Sequence, residues 1–478
     1  MKKSGLEAGG SQKGPTETTP LVGKDGSGGG GDGGGSSKGG FGGLSVNQVA
    51  LLIAGEMAGS GVLALPRALT KTGWVGVPII IIMCVIAAFS GKRLGDCWSM
   101  VEARDPEMRS RQRTPYAIIA NQALGKKWSV VVSMAMMATL FGAAVVYLLM
   151  AAQIIEEVLR TLVPTVTFCA WFLIVAGATT PLMMFTSPKD FSSTDQNRLR
   201  PYAYIFDQSL RNHFGLDQSF TGVIAFGSTF VACILYFIQM MNDIRPFPTF
   251  RLGIHGFQDF FLAFGTIMFA FGGASAFPTI QNDMADKSKF NKSLMYSFGA
   301  VLILYLPIAI AGYAIYGESV APNLAASVTA TPLTLVANIL MAVHLIAAFT
   351  ILINPVCQEA EELYNIAHDA TLWRMGVRVS IMLAILFIGE SIPRFYTILA
   401  LVGGTTVALL TFVLPSLCYL KLSELPPAEG QVAVQQPGWM KMVCWEVIII
   451  GAVGGIAATY SAVSAIFSTA QATPCYLK

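Results

Sequence analysis

The sequence predicts an all-α polytopic membrane protein with about eleven transmembrane helices, and three observations predict it. Hydrophobic residues make up 54% of the 478 and charged residues only 12%, where a soluble domain carries roughly a quarter charged. Eleven long apolar segments follow one another almost without pause from residue 46 onward. Lysine and arginine divide unequally between the two sets of loops that these segments create, twenty-two against seven. A soluble chain of this composition could not hide its apolar surface from water, whereas a bilayer is itself an apolar solvent.

Residues 1–45 read as a Gly/Ser-rich cytoplasmic tail. The stretch GKDGSGGGGDGGGSSKGGFGG has nothing to bury, so a flexible solvated arm is expected. It contains no apolar signal region, so the first helix is expected to target the chain by itself.

Helices of about 20 apolar residues span a hydrocarbon core about 30 Å thick. The segments that qualify are 46–66, 74–91, 128–152, 166–185, 220–241, 257–280, 294–316, 332–357, 375–393, 395–420 and 441–467. The third is expected to begin earlier, because TPYAIIANQALG (114–125) is compatible with a helix. The transporter domain then covers 46–468, with a cytoplasmic loop insertion at 192–219 and a short C-terminal tail at 469–478.

With the N-terminal tail inside, the basic residues collect on the cytoplasmic loops, as the positive-inside rule requires. The glycosylation sequon Asn291-Lys292-Ser293 falls on that side and should stay unmodified. A formal net charge of +3 gives no reason to expect a nucleic-acid partner. Eight cysteines are present, most within apolar runs, where Cys behaves as a small apolar residue; none pair at metal-ligand spacing and no disulfide framework is visible.

Two segments carry residues that helices avoid. The first contains AGEMAGSGVLALP (54–66) and the sixth FGGASAFP (271–278). Glycine costs about 1 kcal/mol against alanine inside a helix and proline about 3 kcal/mol, so each cluster predicts a discontinuous helix. Five helices separate them. Helices 1–5 and 6–10 therefore read as two halves of an inverted repeat, each opening on a broken helix, with a binding site at the membrane midplane. Unwound amides at such a break can hold a carboxylate, helped by the positive end of a half-helix. Close helix packing through Gly55 and Gly59 is the simpler use of such residues, but it does not account for two clusters at matching positions.

At this point the residues resemble a family. GSGVLALPRALTKTGW (59–74) is similar to the first-helix signature of the amino acid/auxin permease family, and FGGASAFPTIQNDM (271–284) to its sixth-helix motif. PLMMFTSPKDF (181–191) and NPVCQEAEELY (354–364) also resemble segments of that family, and the likeness runs in order over about 46–465. The resemblance implies an eleven-helix LeuT-type architecture that moves amino acids by symport with H+ or Na+ and needs no other cofactor. It implies substrate contacts at Gly59, Ser60 and Gly61 and at Gly272, Gly273, Ala274 and Ser275. It also matches Thr350 to an eighth-helix hydroxyl that faces the first break in sodium-coupled relatives. Three departures stand out: the 192–219 insertion, the absence of a pair of extracellular loop cysteines, and an acid, Glu56, where many relatives carry a neutral polar residue.

Glu56 is the candidate for proton coupling, because an ionisable group within a span costs several kcal/mol and marks function by default. The bland alternative is a carboxylate paired with a base near the cytoplasmic mouth. Thr350 and Asn354 share a helix face, and with His344 they are as well suited to hydrogen bonding between helices. Glu390 reads as solvated, and the aromatics within the spans as packing and interface anchors. Glu17-Thr-Thr-Pro-Leu21-Val22 resembles an acidic dileucine sorting signal and Tyr202-Ala-Tyr-Ile205 a tyrosine-based one, which leaves the plasma membrane and the endosomal or lysosomal membrane both open.

No nucleophile triad, zinc cluster or phosphate-binding loop is present, so an enzyme is not expected. The expected activity is secondary active transport of small neutral amino acids by alternating access. The rival reading is an amino-acid-sensing membrane receptor with little flux.

Overall fold

The computed structural model describes residues 43–105, 114–160, 162–184, 218–244, 256–366, 372–426, 436–468 and 474–477. Both sorting motifs and residues 192–217 of the insertion lie outside them; the insertion's last two residues, 218 and 219, already belong to a helix.

Helices appear at all eleven apolar segments, and the only strand-like pairing among the described residues is one isolated bridge. Span 1 is split into 1a (Val46–Met57) and 1b (Ser60–Thr72). Span 2 is Gly76–Arg104, span 3 Lys126–Leu159, span 4 Phe168–Met184 and span 5 Gln218–Asn242. Span 6 is split into 6a (Phe257–Ala270) and 6b (Phe277–Asn282). Span 7 is Phe290–Tyr316, span 8 Pro332–Leu363, span 9 Leu372–Ser391, span 10 Phe395–Glu424 and span 11 Gly438–Phe467. Both breaks fall where the glycine clusters predict them, giving the five-plus-five arrangement.

The structure refines several boundaries. Residues 115–124 form a helix of their own rather than extending span 3, because Gly125 adopts φ +92° between the two. Within span 10, Gly403–Val413 winds as a π-helix. Gly403 approaches the carbonyl of Gly265 in span 6a so closely that any side chain there would collide. The tail's last residues are held in place. Leu44 donates to Asp283 O at 2.9 Å and accepts from Ala285 N at 3.1 Å, while Ser45 and Gln48 cap span 1a reciprocally.

One cysteine expectation is overturned. Cys169, at the start of span 4, is disulfide-bonded to Cys475 beyond span 11, across 306 residues of sequence. Spacing could not reveal it, because only the fold brings those two ends together. Both lie at the face opposite the start of span 1a, as an odd number of spans requires. Glu390 is half-buried there rather than solvated, within 4.8 Å of both sulfurs. Replacing both cysteines by serine is expected to cost about 2–4 kcal/mol of stability. A melting temperature unchanged by the double substitution, or by reductant on the wild type, would contradict that.

Two polar clusters fix the frame around the breaks. Glu361 in span 8 is buried and accepts from Arg378 Nε at 2.6 Å and Arg374 Nε at 3.2 Å, both in span 9. Arg378 also donates to Met183 O in span 4, which ties three spans together. At the other face Asp243, just beyond span 5, accepts from Tyr316 Oη at 2.7 Å, Thr329 N at 2.9 Å and Gln239 Nε2 at 2.9 Å.

Partial desolvation pulls the Asp243 carboxyl up, but these hydrogen bonds outweigh it and hold it below the usual carboxylate value. The folded state therefore favours the ionised form. Its contribution is complete above the unfolded value and is lost only as pH falls through the lower folded one. Between neutrality and about pH 5 this cluster should cost no stability, so Asp243→Asn should lower the melting temperature equally at both. A wild-type loss over that range that the substitution removes would contradict the assignment.

Candidate functional site

The two breaks meet near the middle of the protein. Span 1a ends at Met57; Ala58 and Gly59 leave helical geometry, and 1b starts at Ser60 with no side-chain cap. The amides of Ser60, Gly61 and Val62, in the first turn of 1b, thus lack intrahelical acceptors, and the Ser60 amide faces the Tyr147 hydroxyl. In span 6 the chain turns at Gly273, whose φ of +139° suits glycine alone, and passes through one 3-10 turn, Ala274–Ala276, into 6b.

Close contacts join the two. A methyl group on Gly61 would lie 2.9 Å from both Cα and Cβ of Ala270, and one on Gly273 would lie 3.2 Å from Met57 Cγ. Gly272 faces Val407 of the π-helix, where a Cβ would be 3.1 Å from its nearest methyl. The first break thus meets the second through Gly61 on Ala270 and Met57 on Gly273, while Gly59 packs on Tyr147 and Gly272 on Val407.

Two tyrosines complete the junction, and the sequence reading passed over both. The Tyr147 hydroxyl of span 3 abuts Gly59, beside Ser60 and within electrostatic range of Glu56. Tyr305 of span 7 is fully buried and donates to Met57 O at 2.6 Å, with Ala270 O at 3.2 Å. Each is the one polar side chain in an aliphatic run, GAAVVYLLM and VLILYLPIA. A buried tyrosine hydroxyl needs a partner, and that is the signal that could have found them.

Exposure differs sharply across the first break. Every residue from Met57 to Pro66 is buried, yet Glu56 is exposed although protein surrounds it. In the far half, Lys71 pairs with Asp259 at 3.0 Å, and Arg67 donates to Val320 O at 2.8 Å.

Thr350 is not drawn to the break in this state. Its hydroxyl donates to Ala347 O at 2.7 Å, one turn back in span 8, and no hydrogen bond among the described residues joins it to span 1. Asn354 shares its half-buried face, with a buried Oδ1 lacking a hydrogen-bond partner. His344 is buried within span 8.

The arrangement brings together the first turn of 1b, the Met57 and Ala270 carbonyls on the Tyr305 hydroxyl, and one exposed acid, Glu56. The profile of a family described as transmembrane amino acid transporter proteins matches residues 42–199 and 202–461. Amino acid transporter AVT1D of Arabidopsis thaliana is 25% identical over 438 residues, which cover 88% of this chain and 70% of that protein. Lysine histidine transporter-like 4 of the same plant is 23% identical, covering 77% of this chain and 78% of its own length. Among solved structures, the Eremococcus coleocola manganese transporter bound to an aromatic bis-isothiourea compound superposes with a TM-score of 0.51 at 13% identity, over 89% of this chain and 88% of that one. MhsT in complex with L-phenylalanine superposes with a TM-score of 0.50 at 14% identity, over 88% and 99%. At such identities the likeness is one of fold.

Proposed function

This chain belongs to the transmembrane amino acid transporter protein family, and we propose that it carries small neutral amino acids by alternating access, coupled to protons through Glu56. The observation that carries this reading is the first break, where the positive end of span 1b follows an exposed acid, Glu56, by one helical turn. The substrate carboxylate would meet the amides of Ser60, Gly61 and Val62, where the helix end contributes about half a positive charge. The crowding of Gly272 and Gly273 by Val407 and Met57 supports a small side chain, with Ala274 and Ser275 following in the turn that leads to 6b. Sodium coupling through Thr350 is the second reading, and the bond from Thr350 to Ala347 speaks against it in this state.

We read the N-terminus as cytoplasmic, with Glu56 exposed towards that side. The excess of basic residues on that side supports the placement. So does the disulfide at the opposite face, since the cytosol keeps thiols reduced.

Uptake of labelled alanine, glycine and proline into proteoliposomes, at acidic and neutral pH and with and without sodium, tests the reading. Saturable, acid-stimulated, sodium-independent uptake of at least one is expected. Correctly inserted protein that takes up none of them would sink transport of small neutral amino acids and favour the receptor.

A further inference from the structure

The two half-helices that end at the midplane, 1a and 6a, point their C-terminal ends at the same place. Met57 and Ala270 are their last residues, and both carbonyls converge on the hydroxyl of Tyr305, at 2.6 and 3.2 Å. A helix C-terminus carries roughly half a negative charge in its unmatched carbonyls. Two such ends facing each other away from water need a positive partner between them: an inorganic cation, an ammonium or a hydrogen-bond donor. Here the partner is a neutral phenol. It is held by packing, since Tyr305 is fully buried, its ring lies 5.6 Å from that of Phe271, and a Cβ on Gly61 would be 3.6 Å from its oxygen. Met57 O accepts a second bond from Gly59 N at 2.9 Å, which leaves it well supplied with donors.

We propose that the Tyr305 hydroxyl occupies the place of an inorganic cation between the ends of spans 1a and 6a, so that the protein binds no sodium at this junction and requires none for transport. Tyr305 is a positioning residue: it fixes the distance between the two breaks without touching the transported molecule. Removing its single O–H leaves Ala270 O without that donor and Met57 O with Gly59 N alone, across a buried space, and a small monovalent cation is the simplest remedy. The inference deepens the reading of the two breaks as the substrate site and rests on it only in the uptake measurement below.

The test is a sodium titration, against choline as the inert cation, of purified full-length wild type, Tyr305→Phe and Tyr305→Gln, read by melting temperature and by amino acid uptake. The wild type should be indifferent to sodium in both. Tyr305→Phe keeps the ring but takes the hydroxyl from both carbonyls; it should melt lower in choline and be restored saturably by sodium. Its uptake should fall about tenfold in choline, as expected when buried acceptors lose their donor, and recover with sodium. Tyr305→Gln, which retains a donor, should not acquire the sodium response. Saturable sodium stabilisation or sodium-dependent uptake in the wild type overturns the proposal, and so does a Tyr305→Phe protein that folds and ignores sodium. If Tyr305→Phe folds under neither condition, the wild-type titration and Tyr305→Gln decide. The melting arm needs no transport, so failure of the transporter reading would show as absent uptake with the sodium shift in Tyr305→Phe intact.

Discussion

Glu56→Gln is expected to lower acid-stimulated uptake by about tenfold or more, a rate change equivalent to at least ~1.4 kcal/mol, while leaving substrate binding nearly intact. The substitution keeps the shape and the hydrogen-bonding reach of the side chain but removes the exchangeable charge. Glu56 is exposed while Met57 to Pro66 are buried, and on the proposed reading it exchanges a proton with one side at a time. That is the requirement for a coupling group: access must alternate with the rest of the site. It also lies three residues before Gly59, close to the carboxylate subsite without belonging to it. The expected signature is therefore a split, with an alanine-induced thermal shift that persists and an accumulation driven by pH that disappears. Equal loss of both would assign Glu56 to substrate binding, and an unchanged pH response would remove it from the mechanism.

The second large effect is expected at Gly61. A Cβ there would lie 2.9 Å from the Cα and Cβ of Ala270, well inside ordinary van der Waals contact, and on one side the obstacle is backbone that cannot rotate away. Overpacking of this kind costs about 1–3 kcal/mol, and relief requires span 1b to move off span 6a. The two breaks would then lose their register. Gly61→Val should abolish measurable uptake in protein that still elutes as a folded species, and Gly61→Ala should be intermediate. Gly299→Ala in span 7, where a Cβ would meet nothing within 4 Å, is the matched control and should transport normally. Normal uptake by Gly61→Val would mean that close approach of the half-helices is not needed.

Much of this architecture was legible because the bilayer imposes simple rules. Apolar length marks the spans, basic residues mark one face, and glycine with proline marks helices that cannot continue. The breaks at Gly59 and Gly273 followed from composition alone, and the structure places their residues together. What stayed hidden depends on tertiary proximity. Cys169 and Cys475 stand 306 residues apart, and nothing local distinguishes them from the six free cysteines. Arg374 and Arg378 read as basic residues near a membrane face, yet both are buried against Glu361. Tyr147 and Tyr305 were grouped with packing aromatics, because a sequence does not show where a hydroxyl points. The π-helix at Gly403–Val413 carries no signal beyond Gly403-Gly404, which equally suits close helix packing. Thr350, matched to a sodium-site hydroxyl by resemblance, is bonded within its own helix in this state.

The most direct measurement is concentrative uptake of alanine into proteoliposomes carrying only this protein, driven by an imposed pH gradient in the absence of sodium. Proton coupling at the first break predicts accumulation above the external concentration that collapses with a protonophore and is absent in Glu56→Gln. Accumulation driven by a sodium gradient at symmetric pH, unaffected by that substitution, would contradict it.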